Sequence, residues 1–287
     1  MIRHDFHLHT IFSADGVDEP RAYCLRAIEC GYQAICFTDH ADIDRSILCR
    51  DPFAYERYRR AALACREEFH GRLAVGFGVE IGYHHSAEDK IRAFLDGKEF
   101  DYVLGSVHQL GDSVLVTDES FFIGKTQRQV YERYFAEVLL LAESGLCQGL
   151  AHLDIIERRG AMIYGPYNAS EYTDCLRPIL AAAVRLGLAL EINLSAYSYN
   201  HEPRRPLPGL DVLALYRKGG GRLITIGSDG HKPIRILPGR VEVWGFVEKN
   251  GFVLWEPRPG FWTRYTLAEQ AVKEDGVSGE EVSGIPG

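Results

Sequence analysis

Six apolar runs in this chain end on residues that bind metal ions, and that placement constrains the fold more than any other feature. They are Arg3–Thr10 with His7 and His9, Ile35–His40, Val75–Glu80, Val103–His108, Gly149–His152 and Ile224–His231 with Asp229. One histidine after an apolar run reads equally well as a core or surface residue. Six such endings require a fold that brings many strand ends to one place. Strand patterns near 2–8, 33–38, 73–80, 101–107, 148–152, 187–193 and 222–227 alternate with helical patterns at 18–30, 52–70, 86–97, 125–145, 170–186 and 209–219. Such alternation argues for a parallel sheet, open or closed. An open doubly wound sheet gathers ligands from a few strands at one crevice. A barrel uses the C-terminal ends of many. The expected fold class is therefore α/β, with seven such units fitting a barrel of the (β/α) kind. It fills residues 1–262 as a single domain, and the polar, glycine-rich stretch 263–287 reads as a tail. Val241–Trp262 is expected to add a final strand or helix. Gly31, Gly71, Gly145 and Gly187 fall where helix C-caps belong.

Composition narrows the function. With 46% apolar and 25% charged residues the chain can bury one large core, and it has no apolar run near the ~20 residues of a membrane helix. Its seven cysteines form no Cys-x-x-Cys pair, which suggests free thiols in a reducing cytoplasm. Met1–Asp5 runs into a charged strand pattern rather than a signal peptide. A net charge of −8 disfavours a nucleic-acid track but allows a small anionic substrate, because bound cations would reverse the local field.

His7 and His9 lie two residues apart on a strand and so point the same way, and Asp229 and His231 repeat that spacing. Glu80 has two oxygens with which to bridge ions. His40, His108 and His152 follow apolar runs, and Asp15 lies just past the first strand. A shell of imidazole and carboxylate without cysteine suits Zn, Mn or Fe(II) and argues against a structural zinc clip. His84-His85 reads as a surface turn or, alternatively, as the edge of this site.

His7-Leu8-His9-Thr10, Thr38-Asp39-His40, Gly78-Val79-Glu80, Gly105-Ser106-Val107-His108, His152-Leu153-Asp154 and Gly227-Ser228-Asp229-Gly230-His231 resemble, in order, the motifs of the polymerase-and-histidinol-phosphatase (PHP) superfamily. Tyr102–Leu110 and His152–Ile156 look most like its histidinol-phosphate phosphatase branch. The resemblance implies a distorted (β/α)7 TIM-like barrel holding three divalent ions. One would take His7, His9, Glu80 and Asp229, a second Glu80, His108 and His152, and a third Asp15, His40 and His231. It also implies catalytic roles for His7, His9, Glu80, Asp229 and His231.

Such a cluster suits phosphate monoester hydrolysis. Divalent ions supply hydroxide near neutral pH and clamp the attacking and leaving oxygens, so no covalent nucleophile is needed. The leaving alkoxide could be protonated by a bound water or by a site histidine. A monoester dianion also needs cationic anchors, best supplied by arginine. The candidates are Arg158 and Arg159 after the fifth strand, with Lys232 beside His231. Relatives carry an arginine after the sixth strand that helps hold phosphate, but here Asn193 leads into Leu194-Ser195-Ala196-Tyr197-Ser198. Arg204 or Arg205 could replace it, or the substrate differs from L-histidinol phosphate. Asn193 is expected to support the ligands from behind, and Glu191 reads equally as support or as core rim. The leading expectation is a small phosphorylated substrate. The alternatives are a nuclease or phosphodiesterase on the same barrel and a non-catalytic metal-binding module.

Overall fold

The expected strands form where the apolar runs place them, and they pair in parallel in chain order. The computed structural model describes residues 3–43, 53–110, 114–199, 204–236 and 241–255. The expected tail at 263–287 and the end of the domain near 262 lie outside them. The strands are β1 (His4–Leu8), β2 (Ala34–Phe37), β3 (His40–Ala41), β4 (Ala74–Gly82), β5 (Tyr102–Ser106), β6 (Gln109–Leu110), β7 (Val114–Leu115), β8 (Gly149–Leu150), β9 (Ala189–Asn193), β10 (Leu223–Gly227) and β11 (Val253–Leu254). The α-helices are α1 (Pro20–Glu29), α2 (Tyr55–Glu68), α3 (Glu88–Leu95), α4 (Gln127–Glu143), α5 (Glu157–Tyr164), α6 (Thr173–Leu186), α7 (Ser195–Ser198), α8 (Leu210–Lys218) and α9 (Val241–Lys249).

The main sheet runs β1-β2-β4-β5-β8-β9-β10-β11, with the short β3 pairing β4. It curls until β1 meets β10, where Leu8 and Gly230 form a parallel bridge. Below that bridge two buried side chains of β1 satisfy the β10 backbone. His4 Nε2 accepts the Ile226 N–H at 3.0 Å, and Asp5 Oδ1 accepts the Ser228 N–H at 3.0 Å. His4 is thus part of the barrel seam, outside the strand-end site. β11 pairs with the start of β10, and the Trp255 ring packs 4.7 Å from that of Tyr102.

Three apolar clusters follow from this geometry. Phe6, Ala34, Cys36, Ala74, Tyr102, Leu104 and Ala151 fill the barrel floor, with Trp255 against them. The other two lie mainly between strands and helices: one under α1 and α2, the other under α4, α6 and α8. A bulge between Asp5 and Leu8 inserts one extra residue into β1 relative to β2. It lets Phe6 join the floor while His7 and His9 both enter the site above. The helix-ending glycines adopt the left-handed conformation expected of them, with φ of 75° at Gly31, 77° at Gly71, 71° at Gly145 and 69° at Gly187.

Three features depart from the sequence expectation. His108 is followed by the antiparallel hairpin β6–β7, and His152 by α5. Val241–Trp262 supplies both a helix, α9, and a strand, β11, before its last residues leave the described range.

Candidate metal centre

The strand ends converge as their spacing predicts. Around Glu80 Oε2 and Asp229 Oδ1, the Nε2 atoms of His7 and His9 stand at 3.3 and 3.5 Å from Glu80 and at 3.7 and 3.4 Å from Asp229. Four ligands about 2.1 Å from a tetrahedral ion are spaced by about 3.4 Å, the scale of these four distances. On the other carboxylate oxygen, Glu80 Oε1 lies 3.3 Å from His108 Nε2 and 3.2 Å from His152 Nε2. On the open side Asp15 Oδ2 lies 3.1 Å from His231 Nε2 and 3.8 Å from His40 Nε2. The structure thus brings together all nine candidate positions: His7, His9, Asp15, His40, Glu80, His108, His152, Asp229 and His231.

The surrounding chemistry favours a cation. Glu80 Oε2 and the Nε2 atoms of His7 and His9 are buried without a hydrogen-bond partner, a costly state unless something charged satisfies them. Burial opposes ionisation of Glu80, yet the imidazoles of His7, His108 and His40 hold its carboxyl well below the usual range. The same contest resolves the same way at Asp229, where His7, His9 and His231 outweigh burial. Burial pushes the His9 imidazole down and its neighbours His40 and His231 push it further, holding the neutral form that ligates metal.

A second ring of residues aims the ligands. His7 Nδ1 lies 2.6 Å from Glu191 Oε1, His108 Nδ1 3.0 Å from Asp42 Oδ1, and His9 Nδ1 3.2 Å from Ser13 Oγ. His231 Nδ1 faces the Asp229 carbonyl at 2.9 Å. Each contact occupies one ring nitrogen and leaves Nε2 toward the centre. Asp39 anchors the first loop by accepting from the backbone and hydroxyl of both Thr10 and Ser13. Glu191 also accepts the His152 N–H at 2.7 Å, so it supports two strand ends at once. Asn193 donates to Glu191 at 3.2 Å and accepts from Ser195. Of these supports, the sequence pointed to Asn193 alone and left Glu191 open. Asp42 was missed although it repeats, two residues on, the alternation that places His40. His152 and Asp229 have φ of 23° and 55°, the non-glycine residues with positive φ among those described. Backbone strain of this kind persists where surrounding contacts over-determine it.

The arginine candidates separate. Arg158 lines the cavity over the candidate ligands, a space of about 140 Å³ walled by Thr117 and Val116, and also a second of about 330 Å³ beside Ser195, Tyr199 and Lys232. Its guanidinium donates to Ser195 Oγ at 2.7 Å and sits 3.5 Å from Asp229 Oδ2, while its Nε is buried without a partner. Lys232 lines the outer cavity. Arg159 and Arg205 are not brought there. Arg159 donates to the Thr117 carbonyl at 3.1 Å. Arg205 is drawn into a buried acidic pocket, where it pairs with Glu157 and, at 3.0 Å, with Asp154. Two buried carboxylates outcompete a solvent-facing site for its charge.

A curled parallel α/β sheet whose C-terminal strand ends gather imidazoles and carboxylates defines a divalent-metal protein built on a barrel. The chain belongs to the PHP domain family, whose family model matches residues 5–195. It is 30% identical over 259 residues to the histidinol-phosphatase of Lactococcus lactis subsp. lactis, an alignment covering 86% of this chain and 91% of that protein. It is 31% identical over 236 residues to a protein of Deinococcus radiodurans named a probable histidinol-phosphatase, covering 80% and 86%. The fold is similar to the crystal structure of the Lactococcus lactis histidinol phosphate phosphatase complexed with zinc, L-histidinol and phosphate. The TM-score is 0.75 at 26% identity, covering 89% of this chain and 97% of that one.

Proposed function

We propose that the protein is a metal-dependent phosphomonoesterase that hydrolyses L-histidinol phosphate to histidinol and phosphate. The observation that carries the reading is the convergence of nine candidate ligands, with His7, His9, His40, His108 and His152 around the two oxygens of Glu80, Asp229 beside His7 and His9, and Asp15 beside His231, under a cavity lined by Arg158. His7, His9, Glu80 and Asp229 would hold one divalent ion, Glu80, His108 and His152 a second, and Asp15, His40 and His231 a third, with Zn, Mn or Fe suited to such donors. Bound there, the ions would acidify water and neutralise the charge that develops on the phosphoryl group. The chain's own residues supply position and charge. Arg158 lines the cavity as a guanidinium suited to a phosphate oxygen, and Lys232 stands at the outer cavity as a further cation. The Glu191 carboxylate holds the His7 ring, and Ser13 holds that of His9. The substrate assignment leans on the Lactococcus relative, whose crystal holds L-histidinol and phosphate.

The protein is expected in the cytoplasm, where the six free cysteines among the described residues would stay reduced. Among those residues no helix is long and apolar enough to cross a membrane. A net charge of −8 favours a small substrate over a nucleic acid.

A second reading keeps the reaction and changes the substrate, because α7 holds no arginine where the resemblance to the branch implies one. A phosphate-release panel separates the two. We expect turnover of L-histidinol phosphate with Zn or Mn present, abolished by His7→Ala and weakened through KM by Arg158→Ala. Turnover of other monoesters alone would sink the substrate assignment, and a metal-loaded protein inert on every phosphoester would sink the reaction.

A further inference from the structure

A second cluster of ligating side chains lies just beyond β4 and shares no residue with the strand-end centre. His84 and His85 flank the start of a short 3-10 turn (His85–Ala87), and Glu137 reaches them from α4. One ligand atom from each of the three lies within 4.8 Å of the others. His85 Nδ1 stands 3.1 and 2.9 Å from the two oxygens of Glu137. His84 Nδ1 accepts the Ser86 N–H at 3.3 Å and lies 2.6 Å from Ser86 Oγ, which fixes the ring beside His85.

Glu137 is 6% exposed, and its carboxylate accepts the His85 N–H and faces the His85 imidazole. A carboxylate taken out of water in mid-helix is costly unless a cation meets it. His85 is half-exposed, with a side chain 58% accessible, so it can swing to complete a coordination shell while His84 and Glu137 stay fixed by burial.

We propose that His84, His85 and Glu137 form a separate binding site for a divalent transition metal of the zinc class. An ion there would tie the segment following Glu80 to α4 and stiffen the C-terminal end of β4. Two imidazoles and one carboxylate with a solvent-facing fourth position are a donor set suited to zinc.

Equilibrium dialysis of the full, tag-free protein against zinc, followed by elemental analysis, tests the site. The expected result is one zinc per chain fewer in His85→Ala and in Glu137→Gln than in the wild type, and a smaller rise of the thermal midpoint on adding zinc. His85 is accessible, so its variant keeps the test valid if the buried Glu137→Gln change impairs folding. Equal zinc content and equal thermal response in wild type and His85→Ala would overturn the site, leaving the His85–Glu137 contact as a simple cap. Neither readout uses the phosphatase reaction, so the outcome is independent of the function proposed above.

Discussion

At the scale of single residues, the candidate site has carboxylates behind the proposed ligands as well as among them. Glu191 is buried, holds His7 Nδ1 at 2.6 Å and accepts the His152 N–H, whose φ of 23° needs such an anchor. A glutamine there keeps the shape but loses the charge that fixes the His7 tautomer. Glu191→Gln should weaken metal binding on the order of 10–100-fold. Raising the metal concentration should restore much of the turnover, whereas a change that merely unfolded the protein would resist such rescue. Metal titration followed by calorimetry reads the loss directly, and unchanged affinity would deny Glu191 this positioning role.

Elements decide where those residues can stand. β9 and β10 pair with Asn193 opposite Gly227, which places Glu191 and His7 around a residue with no side chain. A Cβ at Gly227 would collide with the Glu191 carboxylate and with the His7 Cβ. We expect Gly227→Ala to force these groups apart, lowering metal content and turnover together while the far-ultraviolet circular dichroism stays close to wild type. Full metal content in that variant would show that the close approach is not needed. In β1 the bulge between Asp5 and Leu8 does a comparable job by sending Phe6 to the floor and His7 and His9 to the mouth. Strand alternation alone explains why His7 and His9 agree in direction. The bulge accounts for Phe6 sharing the barrel interior with them.

Across the whole molecule, one curled sheet ties the metal centre to the core. Phe6 is 1% exposed and packs on Tyr102 in the barrel floor, directly below the ligands of its own strand. Phe6→Ala should cost on the order of 3–5 kcal/mol of stability, as burying a cavity of that size does. Denaturant unfolding checks this, and a loss near zero would mean that the floor collapses around the gap. Bound metal should offset part of that loss by stabilising the folded state alone.

The strand ends, their order and their ligand chemistry were legible in the sequence because each is local: an apolar run, a period of two, a histidine or carboxylate at its close. That is enough to specify a parallel barrel with His7, His9, Glu80, His108, His152, Asp229 and His231 on one face. The sequence could not decide which arginine lines the cavity over the candidate ligands. Arg158, Arg159 and Arg205 are chemically alike, and their fates rest on neighbours far along the chain: Ser195 and Asp229, the Thr117 carbonyl, and the Asp154–Glu157 pair. The support of His7 by Glu191 spans 184 positions. Such pairings are set by which charges burial leaves unsatisfied within reach, and only the folded chain defines that reach.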